Sequence, residues 1–249
     1  MCMEIIGGRH RMNIALIFAG GTGQRMNSKS KPKQFLELHG KPIIIYTIEI
    51  FEYHPEIDNI VIVCLESWIE ELKILLKRNS INKVSCITGG GNTGHESIYN
   101  GLEVMKDLTG ENDIVLIHDG VRPLVTEQII SENIEKVKKF GTAITVSRQA
   151  ETVSSIGTDE LITEVLNRDQ IRIAKAPQSF YYKDIWTHYQ KAKEDRYLTV
   201  DSAQLMNHYG YQLHTVECSS YNIKITAPAD YYVFRALYEA KENQQIFGL

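Results

Sequence analysis

Ala19-Gly20-Gly21-Thr22-Gly23-Gln24-Arg25-Met26, followed by Lys29-Ser30-Lys31-Pro32-Lys33-Gln34-Phe35, stands directly after the apolar run Ile14-Ala15-Leu16-Ile17-Phe18. An uninterrupted apolar run of this kind reads as a strand buried on both faces. A glycine loop therefore leaves a buried strand. Gly20, Gly21 and Gly23 let the backbone pass close to a ligand and point successive N–H groups at it. Arg25, Lys31 and Lys33 add positive charge on the same side, so the stretch describes a polyphosphate cradle lined by Ala19, Gly20, Gly21 and Gly23. The dinucleotide fingerprint would need glycine where Met26 stands, and no Gly-Lys-Ser/Thr follows to make a P-loop.

Downstream, apolar strand runs alternate with amphipathic helices. Ile43 to Phe51 follows Pro42 as a helix with Ile43, Tyr46, Ile50 and Phe51 on its packing face. Asn59–Cys64 reads as a strand, Glu66–Arg78 as a helix, Lys83–Thr88 as a strand, Gly89–Ser97 as the loop into a helix running to about Leu108, and Asp113–Asp119 as a strand. Such β-α-β alternation implies a parallel sheet covered by helices, with ligands at the carboxyl ends of its strands. Gly89-Gly90-Gly91-Asn92 leaves room there for a flat base, and the Ser97 hydroxyl can read a pyrimidine edge. The Asp113–Asp119 strand ends on a carboxylate at the face of the cradle. A hard carboxylate beside a triphosphate is what Mg²⁺ needs, so Asp119 is the metal residue, and Arg122 is expected to pair with an acidic neighbour or hold the loop.

Ser147 to Arg168 is polar, with short alternating runs around the Gly157-Thr158-Asp159 turn, as in a projecting β-hairpin. Its two edges call for a partner. Tyr182–Lys193 and Asp201–Tyr209 read as helices, Asp201 serving either as an N-cap or as a contact for acceptor hydroxyls. Tyr211–Val216 and Tyr221–Thr226 are expected to be the last strands, and Pro228 to about Asn243 the closing helix. Lys224 points from an otherwise apolar stretch. That is costly to bury unless an anion meets it.

The 249 residues suit one large α/β domain, 13–249, with 1–12 as a disordered or artefactual extension. A net charge of −4 argues against a broad nucleic-acid surface, so an anion site must be local. No apolar stretch approaches the roughly 18 residues that span a bilayer. Four scattered cysteines without a C-x-x-C, and eight histidines without a ligand pair, read as free thiols and the absence of a zinc site. A cytoplasmic protein is expected.

Phe18–Met26 with Pro32-Lys33-Gln34-Phe35-Leu36 resembles the signature of the cytidylyltransferases that act on 2-C-methyl-D-erythritol 4-phosphate or D-ribitol 5-phosphate. Gly89-Gly90-Gly91 before Ser97, Ile117–Pro123, Ala176-Pro177-Gln178-Ser179-Phe180 and Tyr221–Thr226 agree in order, over about Asn13 to Ala240. The resemblance implies a Rossmann-like, mostly parallel sheet with helices on both faces and a projecting hairpin arm, of the nucleotide-diphospho-sugar transferase type. It implies a Mg²⁺-dependent homodimer that moves CMP from CTP to a polyol phosphate, with 147–170 as the dimerisation arm. Arg25, Lys33 and Lys224 would act on the phosphates as the catalytic set. Ala19, Gly20, Gly21, Gly23, Gly91, Asn92, Ser97 and Asp119 would bind nucleotide. Thr152 and Arg168, carried across on the arm, would bind the polyol phosphate.

The family usually has an arginine three residues before the serine, where this chain has Gly94, and His95 beside it either supplies a donor instead or has no role. Gly20-Gly21, Trp68 and Ile129–Ile134 resemble the ribitol-phosphate branch, which supplies CDP-ribitol for teichoic acids or capsules; isoprenoid synthesis through methylerythritol phosphate is the alternative. A nicotinamide oxidoreductase is disfavoured by Met26. A non-catalytic nucleotide sensor is the third class, kept open by Gly94-His95.

Overall fold

The computed structural model describes residues 11–21 and 31–247. The first strand, β1 (Asn13–Ala19), is buried along almost its whole length, as the apolar run dictates. Two short strands, β2 (Glu37–Leu38) and β3 (Lys41–Pro42), form a small ribbon that leads into α1 (Ile43–Tyr53). Then come β4 (Asn59–Cys64), α2 (Ile69–Arg78), β5 (Val84–Gly89), α3 (Gly94–Val104), β6 (Ile114–Asp119), α4 (Glu127–Phe140) and β7 (Thr142–Arg148). An arm of β8 (Ser154–Ile156) and β9 (Ile162–Val165) follows, then β10 (Arg172–Tyr181), α5 (Tyr182–Glu194), α6 (Ser202–His208), β11 (Thr215–Glu217) and α7 (Pro228–Phe247).

The main sheet has seven strands in the order β11-β7-β10-β6-β1-β4-β5. β1 lies parallel to both β4 and β6, β5 continues parallel beyond β4, and β10 runs antiparallel to β6 and β7. Helices cover both faces. Ile44, Ile48, Leu72, Leu76, Ile130 and Ile134, from α1, α2 and α4, pack on one face, and α3, α5 and α6 pack on the other through Ile98, Leu102, Ile185, Tyr189, Leu205 and Met206. The α/β architecture expected from the alternation is the one observed.

Register sets the site. Phe18 faces Asp119 and Ala19 faces Cys64, which in turn faces Gly89, so the carboxyl ends of β6, β1, β4 and β5 form one row. Successive strands leave β1 on opposite sides at this point, which is where such sheets open a ligand crevice.

Of the two last strands expected, one is shorter and shifted and the other is not found. The segment 211–214 is irregular and β11 begins only at Thr215; Tyr221–Thr226 is not a strand, because its contacts are single bonds rather than a ladder. Ile225 N–H donates to the Val121 carbonyl and Ile223 N–H turns back to Tyr221. Met12, assigned from the sequence to the extension, donates its N–H to Asp113 Oδ1 at 2.9 Å, and its carbonyl accepts from Ile114. Residues 1–10 lie outside the described residues.

The 221–226 segment is tied to α7 by Asp230, whose Oδ2 accepts from Thr226 N–H, Thr226 Oγ1 and Ala227 N–H within 2.8 Å. Partial burial alone would raise its pKa, but these backbone and hydroxyl donors outweigh it and the carboxyl sits below its ordinary value. A depressed carboxylate adds stability above its unfolded pKa of about 3.9, and that contribution is lost as pH falls through the lower folded value. Asp230→Ala should destabilise the fold by about 1–2 kcal/mol at pH 7. Thermal melts should show the difference from wild type shrinking below about pH 4; a constant difference down to pH 2 would contradict this account.

Candidate active site

Gly20 and Gly90 meet backbone to backbone. A Cβ on Gly90 would lie 2.8 Å from Gly20 Cα, and one on Gly20 would lie 2.8 Å from Ser97 Oγ. The loops after β1 and β5 can close on each other only because both residues lack side chains. Ala19 and Gly20 are buried at this seam, while Gly21 opens to solvent. Gly23 and Arg25, expected in the cradle, lie outside the described residues. Gln34 is buried beneath the loop, and its Nε2 donates to the carbonyls of Ala19 at 2.7 Å and Gly21 at 3.2 Å. It fixes the strand-to-loop exit, a role the sequence analysis did not assign to it.

Lys33 lies in a single 3-10 turn, half-buried, close enough to Asp230 to contribute to lowering that carboxyl. Lys31, counted with the cradle cations, forms an exposed 2.8 Å ion pair with Glu37.

The base-side loop is held by its own hydrogen bonds. Ser97 Oγ donates to the Thr93 carbonyl at 2.8 Å and accepts from Gly91 N–H at 3.1 Å, so its hydroxyl shapes the loop. Asn92 is exposed and its N–H donates to Glu96 Oε2, while Glu96 N–H donates to Thr93 Oγ1. This is a capping-box arrangement at the start of α3. His95 is not a substitute for the family's arginine. It is buried, its ring 4.8 Å from that of Tyr189 and its Nδ1 3.0 Å from Thr199 Oγ1. Burial holds its pKa below the usual imidazole range.

Asp119 ends β6 almost wholly buried. Lys224 Nζ meets its Oδ1 at 2.6 Å and Arg122 Nε meets its Oδ2 at 3.1 Å. Burial would raise the carboxyl's pKa, but Lys224 and Arg122 reverse this and hold it at about 2. It is a permanent anion. Arg122 also donates to the Asn222 carbonyl at 2.8 Å, so it pairs and holds a loop as expected. Lys224 is partly exposed, lies over the Phe18 ring and approaches Asp119 from the 221–226 segment. Burial pushes the neighbouring His118 down to about 4, so it is neutral at physiological pH, its Nε2–H directed at the Arg122 carbonyl.

Beside this ion-pair set lies a cavity of about 240 Å³, lined by Phe18, Ile98, Asp119, Lys175, Asp201 and Lys224 among others. It is smaller than the roughly 300 Å³ at which pockets for drug-sized ligands begin. Asp201 caps α6 through Oδ1 and receives Gln178 Nε2 on Oδ2, and it also lines the cavity. Thr152 and Arg168 are exposed on and beside the arm, and do not reach this cavity within one chain. Lys175 was not singled out from the sequence, although it interrupts Ile173-Ala174 and Ala176 as Lys224 interrupts its own apolar run.

A glycine-backed crevice at the parallel strand ends, with an ionised carboxylate and lysines beside it, is the site of a nucleotidyl-transfer enzyme. Residues 13–239 match the model of the 2-C-methyl-D-erythritol 4-phosphate cytidylyltransferase family. The chain belongs to this family of cytidylyltransferases, as the motif resemblance implies.

Among its relatives, the ribitol-5-phosphate cytidylyltransferase of Vibrio parahaemolyticus is 50% identical over 238 residues, covering 95% of this chain and 100% of that protein. The one from Streptococcus agalactiae is 48% identical, covering 96% and 100%. The 2-C-methyl-D-erythritol 4-phosphate cytidylyltransferase of Clostridium tetani is 38% identical, covering 88% and 87%. The crystal structure of 4-diphosphocytidyl-2C-methyl-D-erythritol synthase from Anaerococcus prevotii superposes with a TM-score of 0.81 at 26% identity, covering 92% of this chain and 96% of that one.

Gly90→Ala should lower CTP affinity at least tenfold in calorimetric titration while the far-ultraviolet circular dichroism stays unchanged, because the new methyl must push the two loops apart. Unchanged affinity would show that the loops are not in contact when nucleotide binds.

Proposed function

We propose that the chain transfers CMP from CTP to D-ribitol 5-phosphate, releasing pyrophosphate and forming CDP-ribitol. The observation that carries the reaction class is the ionised Asp119 set between Lys224 and Arg122 beside the Gly20–Gly90 seam. The acceptor follows the relatives of about half identity, whose names specify ribitol 5-phosphate. Methylerythritol phosphate is the alternative favoured by the family description and the Clostridium relative.

The chemistry is a direct displacement. The acceptor's phosphate, largely dianionic near neutral pH with a second pKa of about 6, is its own nucleophile and needs no general base. One of its oxygens attacks the α-phosphorus and pyrophosphate leaves in line. The protein's task is positioning and charge neutralisation. The backbone at Gly20 and Gly21, with Lys33 and Arg25, would hold the triphosphate. Lys224 would neutralise charge at the α-phosphate.

Mg²⁺ suits this site through Asp119. That carboxyl is ionised at the strand end, and Mg²⁺ commonly binds through one or two carboxylates together with phosphate oxygens. Among the described residues no group of three His, Cys, Asp or Glu gathers into a protein-only cage. When bound, the ion would offset phosphate charge. Asp119 is held by Lys224 meanwhile, and that lysine is the partly exposed partner of the two.

Homodimerisation is part of the proposal. The arm exposes Ile156, Leu161, Ile162 and Val165, and a two-stranded hairpin alone is marginal in water. Packed on a second copy it would cover those residues and carry Thr152 and Arg168 toward that copy's cavity. Cytoplasmic residence fits Cys64, Cys86 and Cys218, which are free thiols. No helix among the described residues is long and apolar enough to cross a membrane.

Pyrophosphate release should be strong with CTP, Mg²⁺ and D-ribitol 5-phosphate, and weak with 2-C-methyl-D-erythritol 4-phosphate or glycerol 3-phosphate. Release with methylerythritol phosphate alone would move the enzyme to the other branch. Sedimentation should give the mass of two chains, and Ile162→Asp should shift it to that of one; a wild-type monomer would remove the arm's role.

A further inference from the structure

Lys175 is a cation on the cavity wall with no anion to meet. It is half-buried, it lines the same cavity as Asp119 and Lys224, and among the described residues its ammonium has no ion pair. The two cavity carboxylates are already committed. Asp119 is held by Lys224 and Arg122, and Asp201 accepts from Gln204 N–H and Gln178 Nε2. Burial disfavours the Lys175 charge and Arg122 repels it, and the Cys218 thiol offsets this only when ionised, which its own burial opposes. Withdrawing a lysine from water without a counter-charge is unfavourable. An anionic ligand removes the conflict.

The backbone places this residue deliberately. Ala174 faces Val146 on β7 and Gln178 faces Ile144, so β10 uses two more residues than its neighbour between these pairs. Such irregularities re-aim side chains beside active sites. The displaced stretch is pinned, since Asn222 Nδ2 donates to the Ala176 carbonyl at 2.8 Å and Gln178 Nε2 reaches the Lys175 carbonyl at 3.4 Å. Lys175 is therefore presented from a fixed backbone.

Gly20, Gly21 and Lys33 do not line the cavity, which borders the Asp119–Lys224 pair. With the triphosphate in the cradle, the cavity is the space left for the acceptor, and its volume suits a short molecule rather than a second nucleotide. A dianionic phosphate entering there approaches another phosphate chain. The two repel unless charge between and beside them is neutralised.

We propose that Lys175 binds the phosphate monoester of the acceptor polyol, as a substrate-binding cation supplied by the same chain that holds the nucleotide. The assignment rests on the cytidylyltransferase function proposed above. Lys224 then serves the α-phosphate, while Lys175 joins Thr152 and Arg168 of the second copy's arm at the attacking one.

Steady-state kinetics of pyrophosphate release, with CTP and D-ribitol 5-phosphate varied in turn, test this on Lys175→Met, Lys175→Gln and Lys175→Arg. Loss of one charged hydrogen bond should raise the acceptor KM roughly ten- to a hundredfold in the Met and Gln variants. CTP KM should stay within about twofold, and Arg should restore the acceptor KM to within about fivefold, since it keeps the charge. Thermal melts and CTP titration of each variant separate misfolding from lost binding; if Met does not fold, Gln carries the comparison. An unchanged acceptor KM, or an equal rise in CTP KM, overturns the assignment while leaving the function intact. Silence of the wild-type enzyme with every polyol phosphate tried overturns the function on which it rests.

Discussion

A carboxylate at the end of a buried strand, clamped by one cation from its own turn and another from the far end of the chain, is the interaction on which the site depends. Asp119 cannot be buried alone, because desolvating an unpaired charge is costly. Arg122 and Lys224 remove that cost on opposite oxygens, and Arg122 simultaneously anchors the Asn222 carbonyl. The ion pairs therefore do structural work as well as chemical work. Removing one partner of such a buried set typically costs about 3–5 kcal/mol, enough to matter against the 5–15 kcal/mol that stabilises an ordinary domain.

On the function proposed, the site has a nucleotide side and an acceptor side that meet at this anion. The nucleotide side is built from backbone: two glycine loops in contact, with Gln34 and Ser97 tying each loop to itself. The acceptor side is built from side chains, with Lys175, Asp201 and Lys224 on segments of different origin. His95, at the start of α3, packs on Tyr189 of α5 and is hydrogen-bonded to Thr199, next to the cavity residue Val200.

Much of this was legible in the sequence, for a physical reason. Buried parallel strands are continuous apolar runs, and Ile14–Phe18, Asn59–Cys64 and Ile114–Asp119 announce themselves, as does the glycine exit after the first. Asp119 and Arg122 were legible because a charged residue at the end of such a run has few explanations. Tyr221–Thr226 was misjudged as a strand because its apolar alternation records burial of Asn222 and Ile225 against the core, and burial does not require a ladder.

The partners of His95 and Ser97 in space, Thr199 and Gly91, were not legible because they cannot be inferred from a linear pattern. Lys175 was missed for the same reason. Its isolation becomes visible only once every nearby carboxylate has been paired.

The distance in sequence between Arg122 and the carbonyl it grips, 100 residues, has a consequence for how the protein is made. During synthesis β1, β4, β5 and β6 are available long before residues 222–224, so the emerging chain holds Asp119 with one of its two cations absent. Water must keep that carboxylate until the C-terminal segment arrives and displaces it. The nucleotide half of the enzyme is thus sealed by its final stretch, and a chain that stops short leaves its central charge solvated and its machinery unassembled.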